Sequence, residues 1–425
     1  MKVSFYTLGC KVNQYETQAM QQFLISRGHT LVPFGEPCEL CIINTCTVTA
    51  ISDKKCRNAV RRARKDCPDA VIGVCGCYAQ NAPDELRALG VDVLAGTMGR
   101  LAFAELLEKT AADRQKRELY EPAREHHSFE PLPAGGMAER TRALLKVEDG
   151  CNNFCTYCII PYARGPVRSL PLADAVRETV RCREEGYREL TVTGIELSSW
   201  RDGEYTPAEL IAAVCEAAGT MRIRLGSLEP RTVTPEFCEL LSGRDNLCPH
   251  FHLSLQSGSD EILRRMNRKY DTARFTQSVE LLRAAFPGCA ITTDVIAGFP
   301  GETEELWTET MAFLKKTAFA ACHIFPYSRR KGTRADRMDG QLTMEQKERR
   351  AREAIALAAQ CEKEYLRGCV GTVQSVLWEQ TEDGYAVGHA PNYAKVYLPR
   401  TAERNTVDRC RIVGLYRDGL LAEKI

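Results

Sequence analysis

Three cysteines lie close together in the stretch CNNFCTYC. They are Cys151, Cys155 and Cys158, separated by three residues and then by two. Thiolates at this spacing can hold three irons of a four-iron, four-sulfur cluster and leave the fourth iron without a protein ligand. An open iron can bind a small chelating molecule and pass an electron to it. The spacing therefore predicts a redox-active iron–sulfur cluster at this loop.

A structural zinc site is the alternative for the same loop. Zinc prefers four protein ligands, and the nearest further thiol, Cys182, lies inside a predicted helix. A c-type haem is excluded because Ile159, not histidine, follows Cys158. The loop also comes directly after a predicted strand, ALLKVED, and chemistry-bearing loops lie at strand ends. This placement favours the cluster.

Three further cysteines each follow an apolar run near the N-terminus. They are Cys10 after VSFYTLG, Cys46 after CIINT and Cys77 after AVIGVCG. The carboxyl ends of parallel strands gather at one edge of a sheet, so these thiols could converge on a second site. The alternative is CELC, because its Cys38 and Cys41 have a metal-ligand spacing. Cys38 and Cys41, like Cys75, precede or lie inside a predicted strand. Their thiols should therefore point away from the edge at which the strands end.

The composition is that of a globular protein in a reducing compartment. Twenty cysteines occur in a chain whose N-terminus turns polar too early for a secretory signal, so we expect metal ligation, not disulfides, to explain some of them. No stretch reaches the roughly 18–20 apolar residues of a membrane span. A net charge of +1 argues against a generally basic surface but allows one basic face. We expect a cytoplasmic protein with no membrane contact.

The elements that position these cysteines fall into four stretches. Residues 1–112 alternate apolar runs with helical spacing, which predicts a small α/β domain with a mostly parallel sheet. Residues 113–136 are rich in proline, glycine and charge, which favours a linker. Residues 137–367 contain six successive βα units, typical of a barrel or partial barrel with its chemistry at the carboxyl ends of the strands. Residues 368–425 contain short strands with turns, which predicts a small all-β module.

Several of these segments resemble those of a known enzyme family. CNNFCTYC resembles the C-x3-C-x-aromatic-C signature of the radical S-adenosylmethionine (SAM) superfamily. TLGCKVNQYET, NTCTVT and GCYAQ resemble the three cysteine motifs of the methylthiotransferase N-terminal domain. The resemblance covers essentially the whole chain, including a C-terminal RNA-binding TRAM domain. GCKVNQYE, RLGSLEP and SLQSGSDEILRRMNRKY are similar to the branch that acts on threonylcarbamoyladenosine in transfer RNA.

The resemblance implies the fold, the cofactors and the reaction. The fold would be a Rossmann-like parallel α/β domain, a partial (β/α)6 radical SAM barrel and a small TRAM-type β-barrel. The cofactors would be SAM and two 4Fe–4S clusters, an auxiliary one on the N-terminal cysteines and a radical-generating one on the later triplet. One SAM would donate a methyl group, and a second would yield the 5′-deoxyadenosyl radical. The product would be 2-methylthio-N6-threonylcarbamoyladenosine at position 37, 3′ of the anticodon.

The resemblance also implies partners. They are a transfer RNA that carries N6-threonylcarbamoyladenosine and a low-potential electron donor of the flavodoxin or ferredoxin type. A monomer is expected. The alternatives are methylthio transfer to another modified adenosine or to a ribosomal-protein side chain, a non-catalytic iron–sulfur RNA-binding redox sensor, and a zinc-binding RNA module.

Five residues of the barrel region are implied or candidate SAM contacts. They are Tyr157, Glu196, Glu229, Gln256 and Asp294. Tyr157 would lie near the adenine, and Glu196, in TGIELSSW, would receive the ammonium group where the superfamily often has Gly-Gly-Glu. Glu229 and Gln256 could reach the ribose or the carboxylate, and Asp294 resembles part of the fifth-strand motif. The alternative for Glu196 is a carboxylate that caps the turn after its strand.

A predicted helix behind Cys46 carries seven basic residues. They are Lys54, Lys55, Arg57, Arg61, Arg62, Arg64 and Lys65. Such runs are usually solvated surface, but this one adjoins a predicted reaction site, which favours contact with RNA phosphates. RRMNRK (264–269) and RRKGTR (329–334) are further candidates with the same two interpretations.

Overall fold

The computed structural model describes residues 1–136 and 141–425. It consists of an N-terminal α/β module, a curved parallel sheet with helices between its strands, and a C-terminal β-barrel. This is the fold class that the sequence predicts. The predicted start of the barrel region, residue 137, lies outside the described residues. Within them, no helix is long and apolar enough to cross a membrane.

The N-terminal module is built on a six-stranded parallel sheet. Its strands are β1 (Lys2–Thr7), β2 (Thr30–Val32), β3 (Leu40–Thr45), β4 (Val71–Gly76), β5 (Val93–Ala95) and β6 (Arg117–Leu119). They lie in the order β2-β1-β3-β4-β5-β6. The central strands β3 and β4 are buried along their whole length, as expected of a parallel sheet covered on both faces.

Strand β6 lies within the stretch expected to be a linker. It pairs in parallel with β5, so the sheet continues past residue 112. The linker expectation is wrong for these residues, because a three-residue edge strand with two charged side chains gives no apolar run to recognise.

The helices of this module begin just beyond its strands. They are α1 (Lys11–Ser26), α2 (Ala50–Asp66), α3 (Cys77–Asn81), α4 (Pro83–Ala88) and α5 (Arg100–Asp113). Cys10 directly precedes α1, Cys77 is the first residue of α3, and Cys46 lies shortly before α2. Thr49 caps α2 by accepting a hydrogen bond from the N–H of Ser52. The strand-to-helix turns therefore position all three cysteines.

The central module is a curved wall of parallel strands with one short antiparallel ribbon. Its strands are β7 (Arg142–Lys146), β8 (Glu148–Asp149), β9 (Arg168–Ser169), β10 (Glu189–Thr193), β11 (Arg222–Leu225), β12 (Ser227–Leu228), β13 (His250–Leu253), β14 (Ala290–Ala297) and β15 (Ala321–Pro326). The wall consists of two sheets, β11-β10-β7 and β12-β13-β14-β15. Only Gly226 separates β11 from β12, so the wall is continuous along the chain. In the described structure β7 and β15 do not pair, which leaves a partial barrel, as predicted.

Helices connect the strands of this wall. They are α6 (Ile160–Arg164), α7 (Leu172–Glu184), α8 (Pro207–Ala218), α9 (Pro235–Ser242), α10 (Asp260–Arg265), α11 (Thr272–Ala285), α12 (Glu304–Thr317) and α13 (Met344–Gly368). Thr206 and Thr343 begin α8 and α13 with complete capping boxes, which satisfy the first backbone N–H groups. Helix α13 leads into the C-terminal module.

The C-terminal module is a closed five-stranded barrel. Its strands are β16 (Val373–Glu382), β17 (Tyr385–His389), β18 (Lys395–Leu398), β19 (Val407–Tyr416) and β20 (Gly419–Lys424). Their order around the barrel is β16-β17-β18-β20-β19. The interior is small and apolar around Trp378, which confirms the predicted all-β module.

A buried ion cluster lies at the amino ends of the central strands. The carboxylate of Glu189 on β10 pairs with Arg142 (3.0 Å), Arg222 (2.9 Å) and Arg224 (2.6 Å). Burial alone would raise the pKa of Glu189, but Arg224 and the other two guanidinium groups lower it to about 2. The carboxylate is therefore ionised and balances part of this positive charge.

The same arginines contact the C-terminal barrel. Arg222 donates to the backbone carbonyl of Ser375 (3.0 Å). Arg224 donates to the carbonyl of Pro391 (2.9 Å). Glu189 thus orients two side chains that join the curved wall to the C-terminal barrel.

We predict that Glu189→Leu lowers the free energy of unfolding by about 3–5 kcal/mol, because it leaves several buried guanidinium groups without their carboxylate. Urea denaturation followed by circular dichroism measures the change. Glu184→Leu, at an exposed position on α7, is the matched control. Equal stability of the two variants would show that the ion cluster does not support the interface.

Candidate functional site

Two short antiparallel strands close the base of the loop that carries Cys151, Cys155 and Cys158. Glu148 of β8 pairs with Ser169 of β9. Burial raises the pKa of Cys151 and raises that of Cys158 to about 12. The neighbouring thiols add to both rises, so the three cysteines are within electrostatic reach of one another. The three thiols of the loop therefore lie near one another, and their role as cluster ligands stays a prediction.

Arg268 lies against this loop. Its guanidinium donates to Sγ of Cys155 (3.2 Å) and to the hydroxyl of Tyr270 (2.9 Å). Met266, which lies shortly before Arg268, also contacts the loop, because its carbonyl accepts a hydrogen bond from the N–H of Thr156 (3.0 Å). Sequence analysis grouped Arg268 with possible RNA contacts, because a basic run gives no indication of which side chain turns inward. The structure adds it to the cysteine site.

Two carboxylates lie beside the cysteine loop. Glu196 follows β10 and accepts a hydrogen bond from the N–H of Ser198 (3.3 Å), so it caps the turn after its strand. Burial raises the pKa of Glu196 to about 7, and its charge also affects Cys151. Glu148 accepts the N–H of Glu196 at one oxygen (2.7 Å), whereas its Oε1 is buried without a partner. Glu148 therefore offers an unused acceptor at this strand end, which no sequence pattern indicated.

A cleft of about 1500 Å³ opens beside the same loop. Asn152 and Ser198 line it together with Glu229. Glu229 pairs with Arg231 (2.9 Å), and its backbone N–H donates to the hydroxyl of Ser198 (2.8 Å). Glu229 thus lies at the edge of the loop, close to Glu196.

The other three candidate SAM contacts occupy different positions. Tyr157 lies within the loop and packs edge-on against Phe299, with 6.5 Å between ring centroids. Gln256 has a left-handed backbone (φ 69°), and its N–H donates to the carbonyl of Asp294 (2.9 Å). The carboxylate of Asp294 lies 3.3 Å from Nε2 of His252 and lines a second cavity, described below.

The structure also brings Cys10, Cys46 and Cys77 together at the carboxyl edge of the N-terminal sheet. Burial raises the pKa of Cys46 and raises that of Cys77 to about 12. Cys10 adds to the rise at both thiols, and Cys46 adds to the rise at Cys77. The three thiols at these strand ends therefore lie near one another, and their role as ligands of a second cluster stays a prediction.

Two glycines permit this convergence. Gly9 (φ 116°) precedes Cys10, and a Cβ at Gly9 would lie 3.1 Å from Cβ of Cys46. Gly76 (φ 99°) precedes α3, and a Cβ there would lie 2.5 Å from Oδ1 of Asn44. Because both positions combine a positive φ with a close approach of two strand ends, any larger residue would push the cysteines apart.

Arg164 joins the two cysteine sets. It is the last residue of α6, directly after the Cys151–Cys158 loop, and it is fully buried. Its Nε donates to Sγ of Cys77 (3.2 Å), and Nη2 donates to Oδ1 of Asn13 (2.9 Å). Nη1 donates to Glu16 and to Asp149, both at 2.9 Å. One side chain of the central module thus fixes the loop geometry of the N-terminal module.

The alternative pair in CELC lies away from this edge. Sγ of Cys38 is 3.7 Å from Sγ of Cys67 and 3.2 Å from the hydroxyl of Ser4. Cys38 precedes β3, whereas Cys46 follows it, so the two occupy opposite ends of the sheet. Cys75 is buried inside β4. None of these thiols joins the three at the carboxyl edge.

The two cysteine sets have the donor chemistry of iron–sulfur clusters. Each set offers three thiols, and one thiol of each set accepts a hydrogen bond from a guanidinium group. Arg164 donates to Cys77 and Arg268 donates to Cys155, both at 3.2 Å. Buried thiols ionise when a metal compensates the charge, and hydrogen bonds to sulfur tune a cluster's potential. In the described residues, no three His, Cys, Asp or Glu side chains are close enough to share a single metal ion. A four-iron cluster places each thiolate on a different iron and needs a wider arrangement.

A cavity of about 1020 Å³ lies where the three modules meet. Cys10 lines it from the N-terminal module, and Ile160 lines it just beyond the cysteine loop. The strand end 193–195 and Asp294 contribute from the curved wall, and Tyr393 contributes from the C-terminal barrel. A molecule in this cavity would contact all three modules and lie beside Cys10.

The predicted basic helix is α2, and several of its basic side chains are paired with carboxylates. Arg57 pairs with Glu85 (3.0 Å), Arg64 pairs with Asp92 (2.7 Å), and Arg62 pairs within the helix. Within residues 1–136 and 141–425, the exposed members without an acidic partner are Lys54, Lys55, Arg61 and Lys65. These four remain predicted RNA contacts.

RRKGTR (329–334), the second basic run of the barrel region, contains an arginine that connects two modules. Arg330 pairs with Asp53 of α2 (2.6 Å) and donates to the hydroxyl of Thr47 (2.7 Å). Thr47 follows Cys46 directly. The contact therefore ties the curved wall to the N-terminal module beside its cysteine site.

Two family models match different parts of this chain. Residues 145–314 match the Radical SAM superfamily, and residues 2–96 match the Uncharacterized protein family UPF0004. The first match contains the Cys151–Cys158 loop and most of the curved wall. The second contains Cys10, Cys46 and Cys77.

Two curated relatives and one solved structure extend the comparison. The threonylcarbamoyladenosine tRNA methylthiotransferase MtaB of Bacillus subtilis (strain 168) is 39% identical over 94% of this chain and 91% of its own length. The protein of the same name from Chlamydia pneumoniae is 36% identical over 98% of this chain and 96% of its own length. The radical S-adenosylmethionine methyltransferase TsrM from Kitasatospora setae, with cobalamin and a 4Fe–4S cluster bound, has a TM-score of 0.58 at 14% identity. That match covers 90% of this chain and 81% of TsrM, and it shows the shared fold.

We predict that Cys46→Ala and Cys151→Ala each lose about half of the iron and acid-labile sulfide of the anaerobically reconstituted protein, because each removes a ligand from a different cluster. Cys215→Ala, a buried cysteine of α8, is the matched control and should keep the full content. Wild-type iron content in Cys46→Ala would contradict a second cluster at the N-terminal cysteines.

Proposed function

This chain belongs to the threonylcarbamoyladenosine tRNA methylthiotransferase family, and we propose that it converts N6-threonylcarbamoyladenosine at position 37 of transfer RNA into the 2-methylthio derivative. The chain spans almost the full length of both relatives, so the proposal concerns the whole activity. We propose that residues 1–112 hold the auxiliary cluster, residues 137–367 form the radical SAM core and residues 368–425 bind RNA.

One observation carries this proposal: a single cavity is lined by all three modules, by Cys10 of the first cysteine set and by Ile160, two residues beyond Cys158 of the second. An enzyme that makes a radical at one site and transfers sulfur from another must hold its substrate between them. An electron carrier or a sensor has no need for such a cavity. The cavity therefore supports group transfer to a bound molecule over a purely redox role.

The reaction replaces an aromatic C–H bond, C2–H of adenosine, which is too weakly acidic for side-chain acid–base chemistry. When bound, the two 4Fe–4S clusters and SAM supply the electron, the 5′-deoxyadenosyl radical and the methylated sulfur that the substitution requires. Cys151, Cys155 and Cys158 would hold one cluster, and Cys10, Cys46 and Cys77 would hold the other. The chain's own task is to place these ligands around one enclosed space.

The residues around the cysteine loop fit a bound amino acid group. Glu148 has an unused buried acceptor, and Glu196 provides a carboxylate beside Cys151. Both can receive N–H donors of an ammonium group. Tyr157 and Glu229 complete the proposed SAM surroundings, and Gln256 and Asp294 remain candidates at the neighbouring strands.

Two outside partners complete the proposal. A low-potential donor of the flavodoxin or ferredoxin type would reduce the cluster on Cys151, Cys155 and Cys158. The exposed basic residues of α2 would contact RNA phosphates near the auxiliary site, since lysine and arginine without acidic partners are free to do so. They are Lys54, Lys55, Arg61 and Lys65.

We predict that this chain restores 2-methylthio-N6-threonylcarbamoyladenosine to the transfer RNA of cells that lack their own enzyme, as measured by mass spectrometry of total nucleosides. Cys10→Ala and Cys155→Ala should abolish the product, because each removes a proposed cluster ligand. Cys238→Ala, at a buried position on α9, should leave it unchanged.

Each alternative predicts a different outcome. Methylthio transfer to another modified adenosine would yield a different 2-methylthio nucleoside and would reject the proposed substrate. A redox sensor would hold two clusters but form no 5′-deoxyadenosine when reduced anaerobically with SAM. A zinc module would contain zinc and no iron.

A further inference from the structure

One cation of the cavity where the three modules meet, Lys11, has no acidic partner among the described residues. It follows Cys10, begins α1 and lines the cavity, where it stays open to solvent. No carboxylate among the described residues pairs with its ammonium group. The other lysine of the cavity, Lys395, pairs with Asp418 (3.1 Å). Of the two lysines that line this cavity, Lys11 is therefore the one whose charge no carboxylate of the described residues balances.

The nearest acidic group cannot serve Lys11. Glu189 contributes to the field at Lys11, but its two oxygens already pair with Arg142, Arg222 and Arg224 at 2.6–3.0 Å. Arg142 and Arg224 line a cleft that adjoins the cavity at Lys11. The three guanidinium groups carry more positive charge than their two carboxylate partners in the described residues, Glu189 and Glu379, can balance. The surroundings of Lys11 therefore favour an anion.

Three carboxylates also line the cavity. They are Asp294, Glu362 and Asp418, and His252 and Lys395 pair with two of them. Because carboxylates repel an anion, a substrate with one anionic group would turn that group towards Lys11.

We propose that Lys11 binds the carboxylate of the threonylcarbamoyl substituent and so selects an N6-substituted adenosine that carries an anionic side group. Lys11 adjoins Cys10, so the contact would hold the nucleoside next to the auxiliary cysteines. Unmodified adenosine and adenosines with neutral N6 groups lack this anion. The inference rests on the proposed function for the identity of the substrate, and it adds the residue that recognises it.

The test measures binding of anticodon stem-loop RNAs to the anaerobically reconstituted protein by fluorescence anisotropy. Three RNAs differ only at position 37: adenosine, N6-threonylcarbamoyladenosine, and the same nucleoside with its carboxylate converted to a primary amide. The wild type should bind the carboxylate form about 10-fold or more tightly than the amide, as a charge-assisted hydrogen bond predicts. Lys11→Gln should bind both equally, and Lys11→Arg should keep part of the preference. Lys109→Gln removes one exposed charge from α5 of the same module and should behave as wild type.

The outcomes separate this inference from the proposed function. If Lys11→Gln and the wild type prefer the carboxylate form equally, Lys11 does not recognise the carboxylate. The proposed identity of the substrate would still stand. Equal binding of the carboxylate and the amide by the wild type would overturn recognition of the anion. Equal binding of all three RNAs by the wild type, with no 2-methylthio product in cells, would reject the proposed substrate itself. Circular dichroism and iron content of each variant confirm that folding and clusters are retained.

Discussion

The guanidinium of Arg164 holds the two halves of the site in one geometry. It is enclosed by protein and contacts the N-terminal module through Cys77, Asn13 and Glu16 while it pairs with Asp149 of its own module. Burial alone would raise the pKa of Glu16, but Arg100 and Arg164 lower it to about 2, so the carboxylate stays charged. Removing one partner from such a network leaves an uncompensated buried charge, which costs about 3–5 kcal/mol. This cost makes the relative position of the two modules specific.

The same chemistry recurs at the second cysteine set. Arg268 donates to Cys155 as Arg164 donates to Cys77, and each guanidinium is held by further hydrogen bonds. A cationic donor at sulfur favours the thiolate and stabilises negative charge on a cluster. Each site therefore has an arginine that positions a ligand and adjusts its electrostatics.

The sequence predicted what depends on local spacing and strand order. The triplet Cys151, Cys155 and Cys158 follows from the separation of its thiols alone, and the convergence of Cys10, Cys46 and Cys77 follows from parallel strands that end at one edge. The side chains that support them could not be predicted. Arg164 contacts a cysteine 87 residues away and Arg268 one 113 residues away, and both look like ordinary basic residues in the sequence. The free acceptor of Glu148 and the unpaired charge of Lys11 depend in the same way on which neighbours the fold supplies.

The central claim is that both clusters lie on one cavity, close enough to act on one bound nucleoside. Electron paramagnetic resonance of the fully reduced, reconstituted protein tests it directly, because two paramagnetic clusters at short range broaden each other's signals by dipolar coupling. The account predicts this broadening in the wild type and its loss in Cys46→Ala, where only the cluster on Cys151, Cys155 and Cys158 remains. Two sharp, independent signals in the wild type would show that the clusters are far apart and would contradict the account.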